Sequence, residues 1–277
     1  MLRRLSIILF LPVPVLVVAS VYSQVGNKPA KFKVSDTLSV RDPGSWKRLQ
    51  EGIEYRKITL ERSEPNYFFE LKLFRFDTQS ATPRIVRSSQ YGLKGADVKT
   101  LAQRSGAIAA INANYFDDKG RALGFLKAGA QEINRNVSQS SLFTGLFGIR
   151  ELSPFILHRD QFQSAEVDEA LQSGPLLLSQ GKPLHVVRGY GRFSRRSVIG
   201  IDKKRRLIIA VTAVVFGGMS WSELQGLFSS PQWEIQTPDL LNLDGGGSAQ
   251  LYFKNMKLEE FVPGTSEVPV AIGFFNK

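Results

Sequence analysis

The feature that most limits what this chain can fold into is a series of short apolar runs without a matching series of helices between them. Residues 107–111 (Ala-Ile-Ala-Ala-Ile), 176–178, 198–201 and 207–211 each have strand length and polar or glycine borders. Tyr67, Phe69, Leu71 and Leu73 alternate with Phe68, Glu70, Lys72 and Phe74, which predicts a strand with one mostly apolar face. Asp202-Lys203-Lys204-Arg205 reads as the turn of a hairpin. Residues 240–243 and 251–253 predict strands around a glycine turn, and 268–275 a closing strand. Helical spacing is confined to two places. Val98, Leu101 and Ala102 precede a stop at Gly106. Ser220-Trp221-Ser222-Glu223 has the spacing of a capping box, followed by Leu224 and Phe228 on the face of Trp221. Strands outnumber helices and do not form βαβ units. The expectation is therefore an α+β fold, a mixed or antiparallel sheet with a few packed helices, in a single domain spanning 53–277. No internal repeat or low-complexity tract is present.

Residues 1–23 have the layout of a signal peptide or N-terminal anchor: Arg3 and Arg4, then an apolar run to about Val21 broken by Pro12 and Pro14. This predicts an exported protein, periplasmic or secreted, whose membrane contact is limited to an uncleaved N-terminus. Residues 24–52 are polar, basic and weakly patterned, and read as a linker or peripheral arm. The chain has no cysteine, which excludes disulfides, thiolate-bound metals and a thiol nucleophile. Export without cysteine suits a bacterial envelope. The two histidines, His158 and His185, are too few for a multi-histidine metal site and read as structural. A net charge of +11 favours anionic partners. No zinc-finger, RNP or KH pattern accompanies it, so the expected partner is a phosphorylated or acidic glycan and not a nucleic acid. Asn136-Val137-Ser138 is a glycosylation sequon only in a eukaryotic secretory pathway.

Four stretches can carry chemistry. Asn242-Leu243-Asp244-Gly245-Gly246-Gly247-Ser248 places a carboxylate at a strand end before three residues without Cβ. Such a turn lets backbone N–H groups converge and a ligand approach the main chain, which suits an anion beside a carboxylate. Asn112-Ala113-Asn114-Tyr115-Phe116-Asp117 follows a buried run. Its amides could bond sugar hydroxyls and its rings could stack on a pyranose. Arg195 and Arg196 precede the 198–201 run, where a guanidinium can grip phosphate bidentately. Gln172-Ser173-Gly174-Pro175 precedes another buried run. Two alternatives fail. Gly246–Gln250 lacks the closing glycine of a nucleophile elbow, and Gly189–Ser194 lacks the third glycine of a dinucleotide loop.

In this order the four stretches resemble the phosphodiester glycosidase family, over about residues 107–275. Its lysosomal member removes N-acetylglucosamine from a phosphodiester on mannose, and it includes exported bacterial proteins. Where the family commonly has Asn-Gly-Gly, this chain has Asn112-Ala113-Asn114, and Ser197 stands where threonine is usual.

The resemblance implies hydrolysis of a sugar-1-phosphodiester. It assigns phosphate to Arg196 and to the amides of Gly245, Gly246 and Gly247, and makes Asp244 the catalytic carboxylate. Asn112, Asn114, Tyr115, Ser173, Gly174 and Ser248 would contact substrate. A second carboxylate is expected, with Glu132 and Asp117 the choices. No cofactor is required and no metal-ligand spacing is present, although Asp244 with asparagine oxygens would suit a divalent cation. A glycan-binding protein without turnover, or a phosphodiesterase cleaving P–O, are the alternative readings.

Overall fold

The computed structural model describes residues 32–129, 131–185 and 192–277. The expected signal or anchor at 1–23, the arm up to residue 31, and residues 189–191 lie outside the described residues. The described residues belong to one unit, Lys31–Lys277.

In chain order the strands are β1 (Phe32–Lys33), β2 (Leu38–Asp42), β3 (Lys47–Gln50), β4 (Ile53–Arg62), β5 (Tyr67–Phe76) and β6 (Ala81–Arg87). Helix α1 (Val98–Ser105) leads to β7 (Ala109–Asn112), β8 (Leu126–Ala128), β9 (Gln131–Asn134), β10 (Gly145–Arg150), β11 (Ser153–His158) and β12 (Glu169–Ser173). Then come β13 (Leu176–Ser179), β14 (Lys182–Pro183), β15 (Ser197–Ile201) and β16 (Leu207–Ala213). Helix α2 (Trp221–Ser229), β17 (Asp239–Asn242), β18 (Leu251–Lys254), β19 (Glu259–Val262) and β20 (Val270–Asn276) complete the chain.

These strands form three sheets. Sheet I has the order β1-β2-β4-β5-β16-β15-β17-β13-β14, with β3 also on β4. Sheet II is β11-β10-β12-β8-β9, and sheet III is β19-β18-β7-β20-β6. The pairings are antiparallel, as in the long β4–β5 hairpin and the β15–β16 hairpin over Asp202–Arg205. The antiparallel expectation holds, whereas α+β overstates the helix content. Among the described residues there are two α-helices against twenty strands.

The unbroken apolar runs have a packing cause: both faces of sheet I are covered. Along β16, Leu207, Ile209 and Val211 enter a central core shared with sheets II and III, while Ile208 and Ala210 point to a second core under α2. Residues facing apolar layers on both sides need no polar alternation. Phe74 stacks on Phe253 at 4.6 Å and Phe76 on Phe274 at 4.1 Å, joining sheet I to sheet III. On the far side of sheet III, Val98, Leu101 and Ala102 of α1 pack with Ala110 and Ala271. Asp97 caps α1 by accepting from the Thr100 N–H, and Gly106 ends it in the left-handed region.

The stretch expected as a peripheral arm is part of this framework from Phe32 onward. Leu38 and Val40 of β2 are buried, and β2 pairs with β4 along its length. The sequence signal was weak because so short a strand offers few apolar residues beside polar neighbours. The expected glycine turn between β17 and β18 also differs. These strands lie in sheets I and III, so Asp244–Gln250 is a crossing between sheets and not a hairpin.

The capping box of α2 forms as expected. Ser220 Oγ accepts from the Glu223 N–H, and Glu223 Oε2 accepts from the Ser220 N–H at 2.9 Å. Glu223 also binds Arg62 in a fully buried bidentate pair, with 2.8 Å and 3.0 Å contacts. Arg62 Nη2 further donates to the Gly218 carbonyl. Removing one partner of such a pair leaves the other charge stranded in apolar surroundings. Glu223→Ala should therefore lose roughly 3–5 kcal/mol of stability, read by urea unfolding. A loss within about 0.5 kcal/mol of zero, the range of an ordinary surface change, would refute the assignment.

Candidate active site

The four chemical stretches meet where strand ends from all three sheets converge. Asn112 ends β7 in sheet III, Ser173 ends β12 in sheet II, and Ser197 begins β15 beside the end of β17 in sheet I. Asn112 is the connecting residue. Its Oδ1 accepts from Ser197 Oγ at 2.7 Å and from the Gln250 N–H at 3.0 Å. Its Nδ2 donates to the Asp244 carbonyl at 2.7 Å, across 132 positions of sequence. Asp244 N–H in turn donates to the Ala113 carbonyl at 3.0 Å. The expected role of Asn112 at a sugar hydroxyl is thus corrected: its side chain is fully buried and ties the framework together.

Asn114 is different. Its Nδ2 donates to the Tyr115 carbonyl, but its Oδ1 is buried without a partner among the described residues. Two more orphans belong to the same junction, Ser173 Oγ and Asn242 Oδ1. Buried polar atoms without partners are uncommon, and their grouping here marks the junction as built to receive polar groups. Tyr115 braces it. Its hydroxyl donates to the Gly174 carbonyl at 3.0 Å and accepts from Asn242 Nδ2 at 3.1 Å. Burial, followed by the nearby Asp244 carboxylate, pushes the Tyr115 phenol well above its ordinary value, so it stays neutral. Tyr115 and Gly174 therefore act as braces. Gly174 has no room for a side chain, since a Cβ there would sit 2.0 Å from the Leu142 carbonyl oxygen.

Asp244 is partly buried, and its carboxyl is pushed up to about 6 by desolvation. Hydrogen bonds from the Ser248 hydroxyl and the Gly245 N–H offset part of this rise. Two of the three glycine N–H groups expected at a phosphate are already engaged within the protein. The Gly245 N–H serves Asp244, and the Gly246 N–H donates to the Arg195 carbonyl at 2.9 Å. The glycines are needed for space and conformation as well. Gly246 has φ of 59°, and a Cβ at Gly247 would sit 2.7 Å from the hydroxyls of Thr265 and Ser266. Ser248 holds the carboxylate.

Arg196 is buried at the start of β15. Its Nε donates to the Met219 carbonyl at 2.9 Å and its Nη2 to the Arg192 carbonyl at 2.6 Å. The guanidinium lies 4.9 Å from the Trp221 ring. Its Nη1 faces Gly245, whose Cβ, if present, would lie 3.7 Å away. Among the described residues no carboxylate forms an ion pair with it, and burial lowers its pKa. Two carbonyls and the Trp221 ring hold the guanidinium, and the Glu223 carboxylate acts on it at a distance without pairing with it. A buried cation with no direct ion pair leaves room for an anion.

Glu132 and Asp117 do not join this group by any described hydrogen bond or ion pair. Glu132 lies on β9 and pairs with Arg135 at 2.7 Å. Asp117 organises its own turn, accepting from the N–H groups of Lys119 and Arg121 and pairing with the Arg121 guanidinium. The turn N–H groups and that guanidinium hold its carboxyl below the usual range. The histidines are elsewhere too, lining a separate cavity of about 500 Å³ with Thr144 and Asp160. Among the described residues, no group of three or more His, Asp or Glu could hold a metal ion. The sequence reading gave no role to two participants: Asn242, which opens the glycine-loop stretch, and Trp221, read as a helix residue.

Comparison with known proteins places this geometry in a family. No curated protein matches the sequence. Among solved structures, the zebrafish N-acetylglucosamine-1-phosphodiester alpha-N-acetylglucosaminidase catalytic domain, auto-inhibited by its pro-peptide, has a similar fold. The TM-score is 0.65 at 15% identity, covering 87% of this chain and 89% of that one. A hypothetical protein from Synechocystis matches with TM-score 0.65 at 15% identity, over 85% of this chain and 64% of its own. The family model for phosphodiester glycosidase matches residues 105–275, more than half of the chain and the whole of the junction just described. The chain belongs to the phosphodiester glycosidase family.

Proposed function

We propose that the protein hydrolyses the bond between the anomeric carbon and the phosphate oxygen of a sugar-1-phosphodiester. The observation that carries this reading is the buried Arg196 without a carboxylate partner, set beside a glycine loop bearing a carboxylate of raised pKa. Arg196 receives the phosphate. Asn114 Oδ1 and Ser173 Oγ, both buried and unpartnered, receive sugar hydroxyls. Asp244 is the general base. A base with pKa about 6 is ionised at neutral pH yet accepts a proton more readily than an ordinary aspartate.

The step balances with one carboxylate. Water oxygen bonds to the anomeric carbon as the carbon–oxygen bond breaks. The bonding pair leaves with the phosphate monoester dianion, and the water proton passes to Asp244 and then to solvent. The departing phosphate has a second pKa near 6, so it leaves without a protonated acid. This is why neither Glu132 nor Asp117 is required. The layout of residues 1–23 supports an exported protein acting on an envelope glycan. Recovery of the native protein with Met1 intact from the cytosolic fraction would refute export.

Asp244→Asn should lower turnover at least about 100-fold. Its stability should move the other way. A raised aspartate pKa means that the folded state holds a proton more tightly than the unfolded one. The carboxylate therefore costs stability as pH rises from about 4 to about 6, and at pH 7 the amide should be more stable by on the order of 1–3 kcal/mol. The gain should vanish toward pH 4. Wild-type turnover in a well-folded variant would remove Asp244 from the mechanism.

Arg196→Lys keeps the charge but loses the planar fork, so KM should rise roughly tenfold, more than kcat falls. An unchanged KM would release Arg196 from phosphate. Hydrolysis in ¹⁸O-water should place the label in the sugar. Label in the phosphate would mean P–O cleavage and a phosphodiesterase.

A further inference from the structure

Four exposed apolar side chains cluster in one groove whose walls adjoin the segments that hold Arg196. Phe216 is 84% exposed, Val215 77%, Phe68 56% and Phe193 45%. These four side chains, with Pro65 and Tyr67, wall an open groove of about 600 Å³. Contiguous apolar exposure of this kind marks a binding surface more often than scattered single residues do.

The groove shares its walls with the segments that hold Arg196. On one side, Phe193 lies between Arg192 and Ser194, and the Arg192 carbonyl accepts from Arg196 Nη2. On the other, the strip from Ala213 to Gly217 leads into Met219, whose carbonyl accepts from Arg196 Nε. Ser194 and Met219 exchange backbone hydrogen bonds, closing the two segments together. A second cavity of about 380 Å³ uses the other side of the same strip and is lined by Arg195 and Thr265. These two residues touch the glycine loop, through the Gly246 N–H and the Gly247 carbonyl respectively. The apolar floor is bordered by cations: Arg62 lies 3.6 Å over the Phe193 ring and Arg41 5.8 Å over Phe68. A buried guanidinium for an anionic head beside an open apolar groove is the complement of an amphiphilic phosphate.

We propose that the groove binds an aliphatic chain esterified to the substrate's phosphate, so that the substrate is a glycosyl phosphodiester of a long-chain alcohol. This rests on the assignment of Arg196 to phosphate. The sugar lies at Asn114 and Ser173, the phosphate at Arg196, and the chain along Phe193, Val215 and Phe216. Hydrolysis would release the free sugar and an alkyl phosphate.

The test measures binding of alkyl phosphates directly to the full chain, below their micellar concentrations, so that it does not depend on turnover. Octyl phosphate should bind at least tenfold more tightly than methyl phosphate, because even partial burial of seven added methylenes is favourable. Octyl glucoside, which lacks the anion, should bind more weakly than octyl phosphate. In Val215→Ser/Phe216→Ser the octyl-to-methyl ratio should fall to within about twofold. Both residues are exposed, so the variant should melt near wild type. Arg196→Lys should weaken both phosphates and leave their ratio in place. Equal affinity for octyl and methyl phosphate would overturn the proposal, as would a ratio unaltered in the double serine variant. So would sedimentation showing a dimer that the double variant dissociates, with no chain-length preference in the wild type. Failure to hydrolyse octyl or methyl sugar-1-phosphodiesters, with the octyl preference intact, would refute the hydrolase reading and keep the groove.

Discussion

Asn112 is the point on which the site's geometry depends. One buried amide uses both its oxygen and its nitrogen to join a strand of sheet III, the first residue of β15 in sheet I and the loop that carries Asp244. No aliphatic residue of similar volume can replace it, because Ser197 Oγ, the Gln250 N–H and the Asp244 carbonyl would lose partners in surroundings that exclude water. Aspartate would keep the oxygen but bring a buried charge and lose the donor to Asp244. The crossing from β17 to β18 therefore takes its position from an amide 132 residues earlier in the chain. The family resemblance singled out Asn112 as a substrate ligand. Its physical role is prior to that, since it sets where the carboxylate stands.

Burial then does two opposite things on either side of the glycine loop. It raises Asp244 and lowers Arg196, disfavouring the charged form of each. A direct ion pair between the two would cancel both effects and leave neither a base nor an anion receptor. The structure avoids that pair. Asp244 hydrogen-bonds its own loop, through Ser248 and Gly245, and Arg196 is gripped by the carbonyls of Met219 and Arg192. Tyr115, neutral and within electrostatic reach of both, occupies the space beside them. Among the described residues neither group forms an ion pair, and each keeps its own set of neutral partners.

The framework of strands was legible wherever burial on both faces removed polar alternation, as in β15, β16 and β17. The helices were legible because Ser220, Glu223 and Gly106 carry local signals that need no tertiary context. What remained hidden was set by distant partners. β2 contributes Leu38 and Val40 to a core completed from β4, β5 and α2, so its few apolar residues meant little alone. The Gly245–Gly247 run marked an unusual loop, but the sequence could not say that Arg195 and Asp244 take two of its N–H groups. Glu132 and Asp117 had the right chemistry and the wrong neighbours. The nearest cation to each is an arginine three or four residues along the chain, a local pairing that keeps it out of the junction.

The last link runs from the deepest ion pair to the site. Arg62 and Glu223 are joined beneath α2, and Arg62 also holds the Gly218 carbonyl. Gly218 cannot be another residue without displacement: its φ is 119°, and a Cβ would meet the Ser194 carbonyl oxygen at 2.2 Å. Gly217 is similarly closed by the Tyr67 hydroxyl, 2.2 Å from where its Cβ would stand. At Gly218 the strip between Phe216 and Ser220 therefore lies directly against Ser194, with no room for a side chain between them. That close approach is what brings the Met219 carbonyl within 2.9 Å of Arg196 Nε. The buried pair under α2 and the guanidinium in the site are two ends of one backbone clamp. The apolar groove lies beside that same clamp, so the part of the fold that orients Arg196 also shapes the surface next to it.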